Sequence, residues 1–196
     1  MALLLLVGNA GFAHPADFPT ARVSFEDFKT LVVEVEGHRA ERLVDLDTFL
    51  AMSKEPGTII LDSRSDFRFD RVHVKGAKHL AFTDFTQANL ASVIPSFETR
   101  ILIYCNNNFD GNEVDFASKV AAPILRPLNP VAAQVEVQAK PLMMALNIPT
   151  YVNLYGYGYR NVYELHELVD VKDPRIAFEG SLVNLTPAPD VVPTPK

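Results

Sequence analysis

The sequence predicts an α/β fold, an open and mostly parallel sheet with helices on both faces. Short apolar runs of strand length alternate along the chain with segments of helical periodicity, which is typical of parallel strands joined by helices. The chain has 196 residues, of which 48% are hydrophobic and 21% charged. These values are ordinary for a folded globular protein, and the length favours one domain with additions.

The first half of the chain carries clear start and stop signals. Ser24 and Asp27 are spaced as a helix cap, and apolar residues then follow at helical spacing as far as Gly37, where we expect the helix to end. A second short helix is expected from Asp45 until Pro56-Gly57. Before the cysteine we also expect strands over 58–61, near His79 and over 101–104, and short helices over 65–72 and 86–94.

The second half is harder to assign. After the cysteine loop, a helical face is predicted from Val114, Ala117, Val120 and Ala121. Residues 121–140 remain unassigned as an insertion, although 134–138 alternates like a strand and 140–146 has helical character. We then expect a strand over 150–154, a glycine turn, and a helix that contains Tyr163, Leu165 and Leu168. Residues 176–178 are expected to pack on the domain, and the prolines from Pro187 onward predict an extended, disordered end.

The N-terminus resembles a secretory signal. Residues 1–13 are apolar and uncharged, too short to span a bilayer, and end in the small-residue pattern Gly11-Phe12-Ala13, although a basic start is missing. The alternatives are a buried helix or an uncleaved anchor. We expect an exported, periplasmic protein with no membrane contact after cleavage. The predicted organisation is a signal peptide at 1–13, a helical extension at 14–41, a domain at 42–170 with an insertion near 121–140, and a Pro-rich tail at 171–196.

Charge and composition exclude several kinds of partner. The formal net charge is −6 and no basic run is present, so nucleic acid and anionic membranes are not expected partners. The five histidines lie far apart without ligand spacing, so we predict no metal site. A single cysteine cannot form an intramolecular disulfide, so the chain carries a free thiol.

That cysteine, Cys105, is the main candidate for chemistry. It lies between an apolar run, 101–104, and a polar loop, and in open α/β sheets ligands bind at the carboxyl ends of strands. This position is typical of a nucleophile, and it is equally typical of a small residue buried in the core. The candidate active-site loop comprises Asn106, Asn107, Asn108, Phe109, Asp110, Gly111 and Asn112.

Three segments together resemble one family. Asp62-Ser63-Arg64, Phe69 and 73–77 (His-Val-Lys-Gly-Ala) are similar to the signature of rhodanese-like sulfurtransferase domains, and in particular to exported single-domain bacterial members. Cys105 ends its strand where the family's persulfide-carrying cysteine does. Gly156-Tyr157-Gly158 resembles the family's final glycine turn. The resemblance implies a five-stranded sheet, no cofactor, Cys105 as the catalytic nucleophile, and structural roles for the signature residues Asp62, Arg64, His73, Gly76 and Ala77.

The resemblance also implies a reaction, with one departure. In active members the thiolate takes a sulfane sulfur from a donor such as thiosulfate and passes it to an acceptor. Basic residues usually hold the anionic donor, but this loop has none and contains Asp110, followed by Glu113 and Asp115, which we expect to raise the thiol pKa and repel thiosulfate. Related phosphatases need Arg six positions after the cysteine, where this chain has Gly111, so phosphatase activity is not expected.

The sequence leaves two questions open: which residue supplies the positive charge that the loop lacks, and which residue acts as a general base. If the glycine turn, Gly156-Tyr157-Gly158, adjoins the Cys105 loop, Arg160 supplies the charge; otherwise it is a solvated surface arginine. His79 and His166 are candidate bases that the sequence does not place. Expected partners are a small sulfur-containing anion, a thiol acceptor or a protein. Three hypotheses follow: a sulfurtransferase, an inactive rhodanese-like binding module that uses the same pocket, and a thiol redox sensor.

Overall fold

The computed structural model describes residues 20–121, 125–127, 135–137 and 142–183. The apolar segment 1–13 and the prolines from Pro187 onward lie outside these ranges. Within them, no helix is long and apolar enough to cross a membrane.

Helices and strands alternate through most of the described chain. In chain order they are α1 (Phe25–Ala40), β1 (Leu43–Val44), α2 (Leu46–Ser53), β2 (Thr58–Asp62), α3 (Asp66–Arg71), β3 (His73–Val74), β4 (Lys78–His79), α4 (Gln87–Val93), β5 (Arg100–Tyr104), β6 (Phe109–Asp110), β7 (Val120–Ala121), β8 (Leu125–Pro127), β9 (Val135–Val137), β10 (Leu142–Met143), α5 (Asn147–Gly156), β11 (Val162–Leu165), β12 (Val169–Asp170) and β13 (Phe178–Glu179). Two 3-10 turns, Phe82–Asp84 and Asn106–Asn108, complete the set.

Five strands form the central parallel sheet in the order β1-β11-β5-β2-β4, which confirms the predicted α/β fold. β5 is the middle strand, and its side chains alternate between two cores. Ile101 and Ile103 face the core formed by α1, α4 and α5, whereas Leu102 and Tyr104 face α2 and the C-terminal segment. Both faces are therefore covered, as a parallel sheet requires.

The predicted starts of α1 and α2 are confirmed by their caps. The Ser24 hydroxyl accepts the N–H of Asp27 at 3.1 Å, and Asp45 accepts the N–H of Thr48 at 2.8 Å. The expected stop at Gly37 is wrong, because α1 continues to Ala40. Glycine inside a helix costs about 1 kcal/mol. Contacts in the last turn offset that cost: His38 Nδ1 lies 2.9 Å from the Tyr151 hydroxyl.

Two predictions in the last third are wrong. Residues 150–154, predicted as a strand, lie in α5, and the last strand of the sheet, β11, occupies the place of the predicted helix. Tyr151, Val152 and Leu154 are all buried against one core, so they form an unbroken apolar run even in a helix. Periodicity alone does not separate a short buried helix from a strand.

The segment after the cysteine loop is also different from the prediction. No helix forms over 114–121; instead β7 pairs antiparallel with β10, and β8 pairs antiparallel with β9. The alternation over 134–138 indicated β9 correctly, whereas the described part of 140–146 contains β10 and no helix. These pairings join residues distant in sequence, which local periodicity does not reveal. We call the pairs β7–β10 and β8–β9 the inserted ribbon.

The C-terminal segment packs on the domain, as expected for residues 176–178. Ile176 is buried and β13 pairs antiparallel with β3. Gly180 has φ +134°, and a β-carbon there would overlap the carbonyl oxygen of Arg71. This close approach fixes the segment against the end of α3.

Candidate functional site

Cys105 follows β5, the middle strand, at its carboxyl end, and only 1% of its surface is exposed. Its backbone N–H donates to Asn108 Oδ1 at 2.9 Å. Asn108 also accepts a hydrogen bond from the Asn147 amide at 2.8 Å and donates to the Leu165 carbonyl at 2.7 Å. The turn after the cysteine is therefore tied to both α5 and β11.

Beyond Asn108 the predicted loop leaves the cysteine. Phe109 is buried, and β6 pairs in parallel with β12, which carries Asp110, Gly111 and Asn112 away from the thiol. The helix expected directly behind the loop, over 114–121, does not form, and the helix whose N-terminus lies at the cysteine is α5, which begins only at Asn147, after the inserted ribbon. The ribbon therefore interrupts the loop between the cysteine and the helix that supports it.

Several groups act on the Cys105 thiol. Burial raises its pKa, while the backbone N–H groups of Leu146, Asn106 and Asn107 and the charge of Lys119 act in the opposite direction. Leu146 is the cap residue of α5, so the N-terminus of that helix is directed at the sulfur. The three N–H groups form a nest that favours negative charge on the sulfur.

A hollow of about 260 Å³ opens beside the thiol. We call it the cysteine hollow, and the lining residues that bear on its chemistry are Arg64, Arg68, Cys105, Asn106, Lys119 and Leu146. Arg68 donates to the carbonyl oxygen of Val114, and Lys119 is solvent-exposed next to the Asn107 side chain, whose oxygen accepts the Lys119 N–H at 2.9 Å. Arg68, from α3, and Lys119, just before the inserted ribbon, supply the positive charge that the loop lacks.

The acidic residues that the sequence placed near the thiol do not line the cysteine hollow. Asp115 pairs with Arg71 at 2.6 Å, and the Asp110 carboxylate accepts the N–H of Gly111. Glu113 is exposed. The expectation that these carboxylates raise the thiol pKa is wrong, since burial is its main cause.

The signature residues Asp62 and Arg64 form a buried ion pair at 2.7 Å, with 0% and 2% of their side chains exposed. The Tyr104 hydroxyl also donates to Asp62, at 2.5 Å. Arg64 extends further, to the Val72 carbonyl at 2.6 Å and to the Asn106 side chain at 3.2 Å. The pair thus connects the end of β2 with the turn that holds the cysteine.

The remaining signature residues lie away from the thiol. His73 Nδ1 is 2.7 Å from the Phe69 carbonyl, and its ring stacks on the Phe69 ring at 3.8 Å. Gly76 turns the chain with φ +80°, and the N–H of Ala77 donates to the Val74 carbonyl. This geometry suits the structural roles that the resemblance implied.

Neither candidate base lines the cysteine hollow. His79 Nε2 lies 2.9 Å from the Arg64 carbonyl, and His166 is exposed after β11. Among the described residues, no group of three or more His, Cys, Asp and Glu side chains is placed to hold a metal ion.

The prediction that Gly156, Tyr157, Gly158 and Arg160 form part of the pocket is wrong. The turn ends α5 and precedes β11, where the Asn161 carbonyl accepts the N–H of Ile101 at 2.8 Å, at the start of β5. Cys105 follows the other end of that strand. The three turn residues and Arg160 make local contacts instead. A β-carbon on Gly156 would lie 2.9 Å from the Leu31 side chain, and Gly158 has a φ of +100°. The Tyr157 hydroxyl donates to the Phe85 carbonyl, and the Arg160 guanidinium lies 3.5 Å from the centre of the Tyr155 ring.

Sequence reasoning missed Arg68, Lys119 and Leu146. Arg68 lies one helical turn beyond the Asp-x-Arg motif. This spacing indicates the side of the sheet on which Arg68 lies, but not that it lines the cysteine hollow. Lys119 and Leu146 reach the cysteine only because β7 pairs with β10 and brings both ends of the ribbon together. No local signal marks that pairing.

Comparison with known proteins finds a family model that matches part of the chain. The model of the Rhodanese-like domain family matches residues 45–129, which contain the signature segments and Cys105. No curated protein matches the chain. Among solved structures, the BH2092 protein from Bacillus halodurans is similar at 15% identity with a TM-score of 0.38, over 71% of this chain and 73% of that chain. The match agrees with the parallel sheet of the structure: residues 45–129 are similar to the Rhodanese-like domain family.

Proposed function

We propose that this protein is a sulfurtransferase that carries sulfane sulfur as a persulfide on Cys105. The observation that carries the proposal is the position of the thiol: it follows the middle strand, beneath three N–H groups and next to Lys119. A thiolate is the nucleophile in such chemistry, and these groups favour the thiolate. The family match supports the same activity.

The loading step is a displacement at sulfur. The Cys105 thiolate attacks the outer sulfur of thiosulfate, a new S–S bond forms, and the old S–S bond breaks so that sulfite leaves with the electron pair. The product on the enzyme is a persulfide anion, and charge is conserved. The N–H groups of Asn106, Asn107 and Leu146 stabilise its negative charge.

Positive charge near the thiol suits an anionic donor. Lys119 and Arg68 line the cysteine hollow, while Asp110 and Asp115 do not. A hollow of about 260 Å³ has room for a small sulfur-containing anion rather than a large substrate. No cofactor or metal takes part in the proposed step.

Release of sulfite from thiosulfate in the presence of a thiol acceptor tests the proposal. We expect turnover by the unchanged protein and none by Cys105→Ser. Asp110→Asn and Arg160→Gln are matched controls, and both should turn over within about twofold of the unchanged protein, because neither charge lines the hollow. Turnover retained by Cys105→Ser would contradict the proposal.

One observation favours a different function, a binding module without catalysis. Only 1% of the surface of Cys105 is exposed, and this burial raises the pKa of its thiol. Little of the reactive thiolate therefore forms at neutral pH. A module of this kind would bind a partner through the same hollow and would load no sulfur from thiosulfate or from a persulfide donor. Binding that survives Cys105→Ser, together with an unmodified thiol, would select this function.

Export is part of the proposal and rests on the sequence of residues 1–13. The expected mature chain begins at His14 and acts in the periplasm. N-terminal sequencing of the protein from a periplasmic extract tests this, and a chain that keeps Met1 in the cytoplasmic fraction would contradict it.

A further inference from the structure

A second hollow, of about 380 Å³, adjoins the cysteine hollow. The two share three lining residues, Ser65, Lys119 and Leu146, so they lie side by side, and we refer to the two together as the cleft. The second hollow extends from this shared wall toward the 3-10 turn Phe82–Asp84. We call it the acidic hollow.

The two ends of the cleft differ in charge. The cysteine hollow is lined by Arg68 and Lys119 and by no carboxylate, whereas Asp66, Asp84 and Phe82 line the acidic hollow, with Lys119 at the wall that the two hollows share. Asp66 lies in the first turn of α3 and Asp84 ends the 3-10 turn, so separate elements bring the two carboxylates to one cavity. A ligand that spans the cleft meets positive charge at the sulfur and negative charge beyond it.

In the described part of the chain neither carboxylate forms an ion pair with an arginine or a lysine, and Asp66, with 79% of its side chain exposed, has His79 as its neighbour. Asp66 Oδ1 lies 3.5 Å from His79 Nδ1, and His79 Nε2 lies 2.9 Å from the Arg64 carbonyl. Because a carbonyl only accepts, Nε2 carries a proton and donates to the Arg64 carbonyl, and Nδ1 is the ring atom that faces Asp66.

We infer that the acidic hollow receives the sulfur acceptor, and that this acceptor is a small thiol carrying an ammonium group. The inference rests on the proposed function, because it names the acceptor for the persulfide on Cys105. The acceptor's sulfur must reach the cysteine hollow, so the rest of the molecule extends across the shared wall. There an ammonium group meets Asp66 and Asp84, whereas a carboxylate would be repelled.

The transfer step balances without an oxidant or a reductant. The acceptor thiolate attacks the outer sulfur of the Cys105 persulfide, forming a new S–S bond. The bond between that sulfur and Cys105 Sγ breaks, and Sγ leaves as a thiolate. The acceptor becomes a persulfide, and the enzyme returns to its starting state.

Single-turnover unloading of the pre-formed persulfide tests the inference. At about pH 8 and low ionic strength, the rate is measured with cysteamine, 2-mercaptoethanol and mercaptoacetate as cationic, neutral and anionic thiols. Asp66→Asn and Asp84→Asn should each slow cysteamine about threefold, and about tenfold together, while the neutral thiol changes little. Asp70→Asn is the matched control, because Asp70 lies on α3 but lines neither hollow.

The outcomes separate the inference from the proposed function. Failure to load any sulfur overturns the proposed function, and the acceptor role falls with it. A normally loaded persulfide that all three thiols unload equally fast in the unchanged and double-variant proteins overturns the inference alone. Loss of the cysteamine preference in the double variant, and in the unchanged protein at about 0.5 M salt, supports it.

Labelling of the free thiol gives a readout that needs no sulfur transfer. Aminoethyl and sulfonatoethyl methanethiosulfonate differ in charge and both modify Cys105 directly. The Asp66→Asn/Asp84→Asn double variant should lower the ratio of aminoethyl to sulfonatoethyl rates about tenfold. An unchanged ratio would show that the two carboxylates do not act on a ligand at the thiol and would overturn the inference.

Discussion

Replacing Arg64 with methionine tests the connection between the signature motif and the cysteine turn. Arg64 donates to Asp62 through Nε at 3.0 Å and through Nη2 at 2.7 Å, and it also bonds the Val72 carbonyl and the Asn106 side chain. Methionine removes all of these bonds and keeps much of the volume. Asp62, which is 0% exposed, then remains as a buried carboxylate with Tyr104 as its main side-chain partner.

The structure gives the size of the expected effect. Breaking a buried ion pair by removing one partner costs about 3–5 kcal/mol, and two buried acceptors lose a donor as well. We expect Arg64→Met to lower the free energy of unfolding by about 4 kcal/mol, a large share of the stability of a typical domain. Urea unfolding monitored by circular dichroism measures the change.

Two further variants give the comparison its control. Arg175→Met removes an arginine that pairs with Asp173 and Glu167 but is exposed at 41% of its side chain, so a much smaller loss is expected. Adding Asp62→Asn to Arg64→Met removes the unpaired charge and should recover more than about 1 kcal/mol. Equal losses for Arg64→Met and Arg175→Met would refute the reasoning.

Three other outcomes follow from the structure. Gly180→Ala should lower the free energy of unfolding by more than about 2 kcal/mol, because its β-carbon would overlap Arg71 and its φ is positive. Gly37→Ala, at an open helical position, should raise the free energy of unfolding by about 0.5–1 kcal/mol. Urea unfolding measures both changes, and equal effects would contradict the packing described. The alkylation rate of Cys105 should reach its half-maximum at a higher pH than an ordinary thiol does, because burial raises its pKa and the thiolate is the reactive form. A half-maximum at or below about pH 8.5, the ordinary thiol pKa, would contradict this. Lys119→Gln should move that alkylation profile to higher pH and slow loading from thiosulfate about three- to tenfold, and an unchanged loading rate would remove Lys119 from the donor site.

Elements with local signals were predictable from the sequence. Ser24 and Asp45 cap helices through bonds to residues three positions later, so the signal and the structure lie in the same short segment. The strands that end at Asp62 and just before Cys105 are apolar runs followed by polar residues, and their position in a parallel sheet places both ends at one edge. The cysteine site was accessible to sequence reasoning for this reason.

The rest of the site depends on long-range pairing. Lys119 and Leu146 come to the thiol from the two ends of the inserted ribbon, and nothing within a few residues of either indicates that β7 pairs with β10. The same ribbon moves the supporting helix to Asn147, so the glycine turn that ends this helix precedes the last strand instead of following it. Of the two alternatives for Arg160, a charge at the cysteine therefore fails, because the turn lies at the other end of β5.

The acidic residues after Cys105 show why the charge of neighbouring residues in sequence did not predict the charge at the thiol. Asp110 and Asp115 lie close to the cysteine in sequence, but β6 leaves the site to pair with β12, and Arg71 neutralises Asp115. Sequence distance to the thiol therefore did not measure spatial distance once the chain turned away at Asn108.

Intact mass of the reduced protein after incubation with thiosulfate tests the central claim most directly, with a persulfide donor in a parallel sample and Cys105→Ser as the control. The account predicts one added sulfur atom, removed by reduction and absent from the control. An unmodified mass with both donors, in protein shown to be folded and reduced, would contradict the role of Cys105 as a sulfur carrier.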